Sequence, residues 1–243
     1  MIKALIIDID NTLFDFMKMK RASVEAAVEA MIDAGLKMPR DRVTGKIYQI
    51  YDREGIEDQQ VFNKVLLEEF GRIDYKILAA GIIGYRRAKE GTMSLYPHVH
   101  LTLTSLAKMG VKMAVVSDAP RLPVWMRICS LELHHYFDHV LTYDDTGEKK
   151  PSPMPFQLAL KLLEVRPEEA LMIGDWAERD VVGAKSMGIR TVFARYGDIF
   201  NTTNSGADYE IDDIIELLEI VKRENEGQLG LFDKKTSRTD ENE

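Results

Sequence analysis

The sequence predicts an α/β fold with a doubly wound parallel sheet, and three observations support this prediction. Short apolar runs bounded by turn residues recur along the chain, and such runs are typical of strands that are buried on both faces of a sheet. Helix-period segments alternate with the later runs, which predicts right-handed crossovers between parallel strands. One long helical stretch separates the first two runs, which indicates a helical domain inserted into the α/β core.

Six segments are predicted as strands, of which the third and the last are weak. They are Lys3 to Asp8, Lys112 to Ser117, His139 to Leu141, Ala170 to Asp175, Arg190 to Ala194 and Asp208 to Ile211. Helices are predicted at Ser152 to Leu163 and at Asp180 to Met187, the second of which stops at Gly188, as helices commonly do at glycine. The α/β core is therefore expected to comprise residues 1–14 and 95–222.

Residues 15–94 carry four helical segments and no convincing strand, with apolar residues at helical spacing. The predicted helices are Lys18 to Ala34, Arg40 to Glu54, Asp58 to Gly71 and Tyr75 to Lys89. We therefore expect an all-helical cap domain at residues 15–94, followed by a helix at Val99 to Met109 that leads into the second strand. Residues 223–243 are polar and poor in branched apolar side chains, which predicts a disordered tail.

Composition restricts the partners that we expect. With 32 Lys and Arg against 40 Asp and Glu, the net charge of −8 argues against binding to nucleic acid or to an anionic membrane. The single cysteine, Cys129, cannot form an internal disulfide, and its apolar neighbours in sequence predict a packed thiol in a reducing compartment. No signal peptide and no apolar run of the ~18 residues needed for a membrane span is apparent. We expect a soluble, cytoplasmic protein, and the sequence leaves its oligomeric state open.

Polar side chains cluster where the predicted strands end, which is the edge at which open parallel sheets bind ligands. They are Asp8, Asp10 and Thr12 in DIDNT, Ser117 and Asp118 in VVSD, Lys150 in GEKKPSP, and Asp175 and Asp180 in GDWAERD. The Asp-x-Asp-x-Thr pattern is a weak signal by itself, because a turn or a helix cap would also explain it. The four motifs together, in this order and at strand ends, indicate a catalytic site.

The repulsion between carboxylates that lie close together is offset if a hard cation lies among them, and Mg²⁺ prefers oxygen ligands. Asp8 and Asp175 are its natural direct ligands. Lys150 supplies a second positive charge for an incoming phosphate. The Ser117 hydroxyl and the backbone N–H groups after it, that of Asp118 included, can hold the other phosphate oxygens.

With the phosphorus atom held in this way, Asp8 can attack it in line and form an aspartyl-phosphate. Asp10 can then protonate the leaving alcohol and later activate the water that hydrolyses the intermediate. The two carboxylates of the first motif would thus do different work.

In these motifs the chain resembles the haloacid dehalogenase-like hydrolase superfamily. Within that superfamily it resembles the phosphatases that carry a helical cap after the first motif. The resemblance covers the core, about residues 1–14 and 95–220, and the position and helical character of the insertion. It implies a Rossmann-like core and Mg²⁺ as cofactor. In the first motif it implies that Asp8 is the nucleophile, that Asp10 is the acid and base and also binds the metal through its carbonyl, and that Thr12 steadies the phosphate-binding loop. It implies that Ser117 binds phosphate and that Lys150 is the orienting cation. In the fourth motif it implies that Asp175 binds the metal and that Asp180 is the second acid.

One residue departs from the family pattern. Trp176 stands where the family more often has a small hydroxyl residue, and it either narrows the pocket or packs under the cap. The non-phosphate part of the substrate is expected to meet the cap and the hinge residues Phe14 to Met19, and cap closure would exclude water from the reacting group.

Three other functions compete with a phosphatase. A dehalogenase of the same superfamily needs no metal and lacks an acid at the position of Asp10. A phosphomutase of this type tends to have glycine where this chain has Thr12, and a non-catalytic binding or regulatory module would have lost an essential group. We therefore expect a magnesium-dependent phosphatase for small phosphate monoesters. The family resemblance suggests glyceraldehyde 3-phosphate, another triose or sugar phosphate, or phosphoglycolate as the substrate.

Overall fold

The structure is a computed structural model that describes residues 1–236, with side chains up to residue 226. The chain divides into two compact units, one formed by residues 1–14 together with the chain from Leu95 onward, and the other by Asp15–Ser94. The strands are β1 (Ala4–Ile7), β2 (Lys112–Val116), β3 (His139–Leu141), β4 (Ala170–Gly174), β5 (Arg190–Ala194) and β6 (Tyr209–Ile211). The helices are α1 (Phe16–Asp33), α2 (Arg40–Glu54), α3 (Val61–Phe70), α4 (Tyr75–Thr92), α5 (Val99–Lys108), α6 (Arg121–Ser130), α7 (Tyr143–Thr146), α8 (Pro153–Leu163), α9 (Val182–Ser186) and α10 (Leu217–Thr236).

The first unit contains a parallel sheet with the strand order β3-β2-β1-β4-β5-β6. β1 lies between β2 and β4, with Ile7 opposite Val115 on one side and Ile173 on the other. Every residue of β1 and of β4 is buried, as expected for apolar strands covered on both faces. The strand order reverses direction at β1, which places a topological switch point there. The predicted doubly wound α/β fold is confirmed.

The second unit is helical, and α1 packs closely against α4. A glycine permits this contact, because a Cβ atom on Gly84 would lie 2.6 Å from the Ala26 carbonyl oxygen and 2.9 Å from the Ala30 Cβ. The interior is apolar and includes Val28, Ile47, Tyr51, Phe62 and Val65.

The predicted disordered tail differs from the structure, because α10 continues through residue 223 as far as Thr236. Polar residues of this segment bond to the sheet unit, since the Asn225 Oδ1 accepts a hydrogen bond of 2.6 Å from the Ile2 N–H, and Glu224 pairs with Arg190. Residues 224 and 225 of the predicted tail are therefore held to the sheet unit. The remaining residues of the predicted tail, 237–243, lie outside the described residues.

The prediction of a packed thiol is wrong, because Cys129 is exposed. It lies on α6, whose inward face carries Val124, Arg127 and Ile128. Two apolar neighbours of Cys129 in sequence, Trp125 and Met126, are exposed as well, so apolar residues near it do not indicate burial. Among the helices that the structure describes, none is long and apolar enough to cross a membrane.

Candidate active site

β1 carries the first motif to the carboxyl edge of the sheet. The Asp8 N–H, which follows the buried strand, bonds to the Ile173 carbonyl at 2.9 Å. The chain then turns, with Asn11 in the left-handed conformation at a φ of 56°, which asparagine tolerates better than most residues. Asp8 and Thr12 are buried in this turn, and Asp10 is half-buried.

Lys150 joins the first, second and fourth motifs. Its Nζ contacts Asp8 Oδ1 and donates to Asp180 Oδ1 at 2.6 Å, and its backbone N–H donates to Asp118 Oδ1 at 2.8 Å. Burial alone would lower the pKa of Lys150, but the carboxylates of Asp180 and Asp8 outweigh burial and raise it. Lys150 therefore stays protonated and provides a buried positive charge.

The fourth motif folds tightly beneath the end of β4. Asp180 lies in a wide π-type turn, Ala177–Val181, and its Oδ2 accepts a hydrogen bond of 3.0 Å from the Trp176 N–H. A Cβ atom on Gly174 would lie 2.2 Å from this same Oδ2. The glycine of GDWAERD is thus required because the Asp180 carboxylate occupies the space that a side chain would fill.

Thr12 connects the first motif to the fourth. Its hydroxyl donates to Asp175 Oδ1 at 3.2 Å, and its carbonyl accepts a hydrogen bond of 2.8 Å from the Tyr196 hydroxyl. Burial, with the nearby Asp180, raises the pKa of Asp175 to about 8. Burial also raises the pKa of Asp8, although Lys150 opposes this shift.

Three buried carboxylates form a group that could hold a metal ion. Asp8, Asp175 and Asp180 each offer one oxygen, and these oxygens lie within 4.8 Å of one another. When all three are ionised, the single charge of Lys150 leaves a net negative charge in a buried place, which a divalent cation would neutralise. A set of oxygen donors is also what a hard cation prefers, so these residues fit the metal that the family resemblance implies.

The carboxylate of Asp10 is not part of this group and is held by a residue that sequence reasoning missed. Its Oδ2 accepts a hydrogen bond of 2.8 Å from Nη1 of Arg127 in α6, whose side chain is only 2% exposed. A signal existed in the sequence, because Arg127 lies at helical spacing between apolar residues, Val124 and Ile128, on the buried face of α6. A charge at such a position requires a buried partner.

In the contacts that the structure shows, the side chains of the second motif mainly stabilise the surrounding loops. The Ser117 Oγ accepts a hydrogen bond of 3.2 Å from the Ala119 N–H, and the hydroxyl hydrogen of Ser117 can still be donated to a ligand. Asp118 bonds to Lys150 through Oδ1 and to Arg179 Nη1 through Oδ2, at 3.2 Å. Phosphate binding by Ser117 and by the Asp118 N–H stays a prediction.

Trp176, which departs from the family pattern, packs within the sheet unit. The Arg179 guanidinium lies 3.6 Å from the centre of its ring, and the Phe200 ring lies 4.5 Å away between centroids. These contacts explain how a large side chain is accommodated directly after Asp175.

Comparison with known proteins agrees with this fold. The sequence model of the haloacid dehalogenase-like hydrolase family matches residues 5–194. The chain is 34% identical over 227 residues to the glyceraldehyde 3-phosphate phosphatase of Pyrococcus furiosus, covering 92% of this chain and 95% of that protein. The protein of the same name from Methanocaldococcus jannaschii is 32% identical over 225 residues, which are 91% of this chain and 98% of the relative. The crystal structure of a HAD phosphatase from Thermococcus onnurineus matches with a TM-score of 0.67 at 28% identity, covering 90% of this chain and 98% of the other.

The chain therefore belongs to the haloacid dehalogenase-like hydrolase family, and it is an enzyme of the phosphatase type. The predicted superfamily and enzyme class are confirmed. The structure brings Asp8, Thr12, Lys150, Asp175 and Asp180 together, whereas the roles of the individual residues stay predictions.

Proposed function

We propose that the protein is a Mg²⁺-dependent phosphatase that hydrolyses small phosphate monoesters through an aspartyl-phosphate on Asp8. The contact between Lys150 Nζ and Asp8 Oδ1 carries this proposal, because it places a buried cation on the proposed nucleophile, where a phosphate would be bound. Glyceraldehyde 3-phosphate is the first candidate substrate, on the strength of the relatives' names. All groups that the chemistry needs are present, which argues against a non-catalytic binding module.

Asp8 and Asp175, with the carbonyl of Asp10, would hold Mg²⁺. When bound, the ion would offset the charge of the substrate phosphate and favour the ionised form of Asp8. Lys150 would fix the Asp8 carboxylate and bind a phosphate oxygen, and Ser117 would bind another.

Two displacements at phosphorus would complete the reaction. In the first, an oxygen of Asp8 forms a bond to phosphorus while the ester oxygen leaves and takes a proton from Asp10. In the second, Asp10 accepts a proton from water as the water oxygen attacks the phosphorus, and the bond to Asp8 breaks. Inorganic phosphate is released and Asp8 is regenerated.

The test is phosphate release from a panel of esters with Mg²⁺ and with a chelator. The panel contains glyceraldehyde 3-phosphate, glycerol phosphate, phosphoglycolate and several sugar phosphates. We expect release only with Mg²⁺ and the highest kcat/KM for glyceraldehyde 3-phosphate. A folded protein that binds Mg²⁺ and releases phosphate from none of these esters would contradict the proposed reaction, and a different ranking would change only the substrate.

The cation-free protein is expected to lose stability as the pH rises towards 8. The pKa of Asp175 in the folded state is raised to about 8, whereas an unfolded aspartate titrates near about 3.9. Between these values the folded state retains a proton that the unfolded state has released, so the free energy of unfolding falls as the pH rises, by up to ~1.4 kcal/mol per pH unit. Thermal unfolding in a chelator across this range measures the effect.

Mg²⁺ would bind the carboxylate form, so its stabilising effect should grow over the same range. We expect the rise in Tm on addition of Mg²⁺ to be larger at about pH 8 than at about pH 6. Asp175→Asn is the matched control and should show a smaller rise that depends less on pH. An equal rise at both pH values in the wild type would contradict Mg²⁺ binding at these carboxylates.

A further inference from the structure

We infer that Arg127 is a positioning residue for Asp10, whose carboxylate it holds in the orientation needed for proton transfer. This inference rests on the proposed function, because it needs Asp10 to act as acid and base. It concerns a residue outside the four sequence motifs, on a helix that the sequence reading did not predict.

The geometry of the pair supports this role. Arg127 Nη1 lies 2.8 Å from Asp10 Oδ2, with the arginine side chain 2% exposed and the aspartate side chain 24% exposed. The guanidinium is thus enclosed in protein, and the other carboxylate oxygen of Asp10, Oδ1, is buried as well. A buried charge is strongly destabilising without a partner, so burial of the Arg127 guanidinium favours the ion pair with Asp10.

The helix that carries Arg127 is well fixed. Val124 and Ile128, one turn before Arg127 and directly after it, are completely buried, and Leu131 at the end of α6 is also buried. α6 begins just after Ser117 and Asp118, at the carboxyl end of β2. The guanidinium is therefore attached to a rigid element that starts at the proposed site, as a positioning group should be.

Hydrogen-bond chemistry restricts the orientation of the Asp10 carboxylate. A guanidinium offers only donors, so Oδ2, which faces Arg127, cannot carry a proton towards it. Without Arg127 the carboxylate would lose this hydrogen bond, and fewer encounters would have the proton of Asp10 in place.

The test compares two esters that differ in how much they need an acid. Alkyl phosphates such as glycerol phosphate release a strongly basic alkoxide unless Asp10 protonates it, whereas p-nitrophenyl phosphate releases a stable phenolate. We expect Arg127→Gln to lower kcat/KM for the alkyl ester by about 10- to 100-fold and to change kcat/KM for the nitrophenyl ester much less. kcat/KM is the correct quantity because it excludes the later hydrolysis of the intermediate.

Three further variants keep the inference falsifiable. Arg127→Lys retains a buried cation and should restore part of the alkyl-ester rate, and it replaces Arg127→Gln if the latter fails to fold. Arg121→Gln removes an exposed arginine from the same helix and should leave both esters unchanged. In the double variant Asp10→Asn/Arg127→Gln, loss of Arg127 should cost nothing beyond the loss from Asp10→Asn alone.

An equal fall in kcat/KM for both esters, in an Arg127 variant with a normal Tm, would overturn the inference. Independent, multiplicative losses in the double variant would also overturn it. Failure of the proposed function is distinguishable, because the wild type would then release phosphate from neither ester in Mg²⁺.

Discussion

Asp8→Asn is expected to reduce phosphate release by about 10⁴-fold or more. The amide oxygen of asparagine is a poor nucleophile and cannot form an acyl phosphate, while its size is nearly that of the carboxylate. Lys150 would keep a hydrogen-bond acceptor at the position of Asp8 Oδ1, so the site should retain its shape. Phosphate release from the best ester of the panel, in excess Mg²⁺, measures the loss.

The same substitution should leave the fold intact. Burial raises the pKa of Asp8, which means that the ionised carboxylate is costly in the cation-free protein, and a neutral amide removes this cost. We therefore expect an unchanged or higher Tm without Mg²⁺. Asp212→Asn, at an exposed aspartate of the same unit, is the control and should keep full activity. If Asp8→Asn retained activity within about tenfold of the wild type, another group would have to be the nucleophile.

The sequence was sufficient to predict the central strands and the residues at their ends. Asp8 and Asp175 follow strands that are unmistakably apolar, and β1 and β4 are neighbours in the sheet, so topology brings these carboxylates together. Lys150 was predictable for a related reason, since a cation is needed beside convergent acids. The family match then confirmed the class of enzyme.

The contacts that support these residues were not predictable from the sequence in the same way. Arg127 reaches Asp10 because of how α6 rotates onto the sheet, and Tyr196 reaches the Thr12 carbonyl from 184 positions along the chain. Such contacts depend on the packing of whole elements, which no local pattern specifies. The continuation of α10 through polar residues has the same origin, because Asn225 finds its partner, Ile2, at the other end of the chain.

Gly197→Ala is expected to cause a large loss of stability. Gly197 ends a 3₁₀ turn after β5, and a Cβ atom there would lie 1.8 Å from the Asn11 carbonyl oxygen and 3.1 Å from the Asp175 Cβ. The Asn11 atom belongs to the backbone, so no side-chain rotation relieves the overlap, and the two loops would have to separate. Overpacking of this kind costs about 1–3 kcal/mol and occasionally more.

Activity should fall further than stability alone explains, because the displaced loop carries Asp8, Asp10 and Thr12. A shift of about 1 Å in such a loop can cost about 10²-fold in rate. We therefore expect a lower Tm and about a hundredfold lower kcat for Gly197→Ala, measured with Mg²⁺ below the unfolding transition. Gly45→Ala is the matched control, since nothing lies within 4 Å of a Cβ atom at that position of α2, and alanine there should stabilise the helix by about 1 kcal/mol. If Gly197→Ala behaved like this control, the close approach of the two loops would not be what holds the first motif in place.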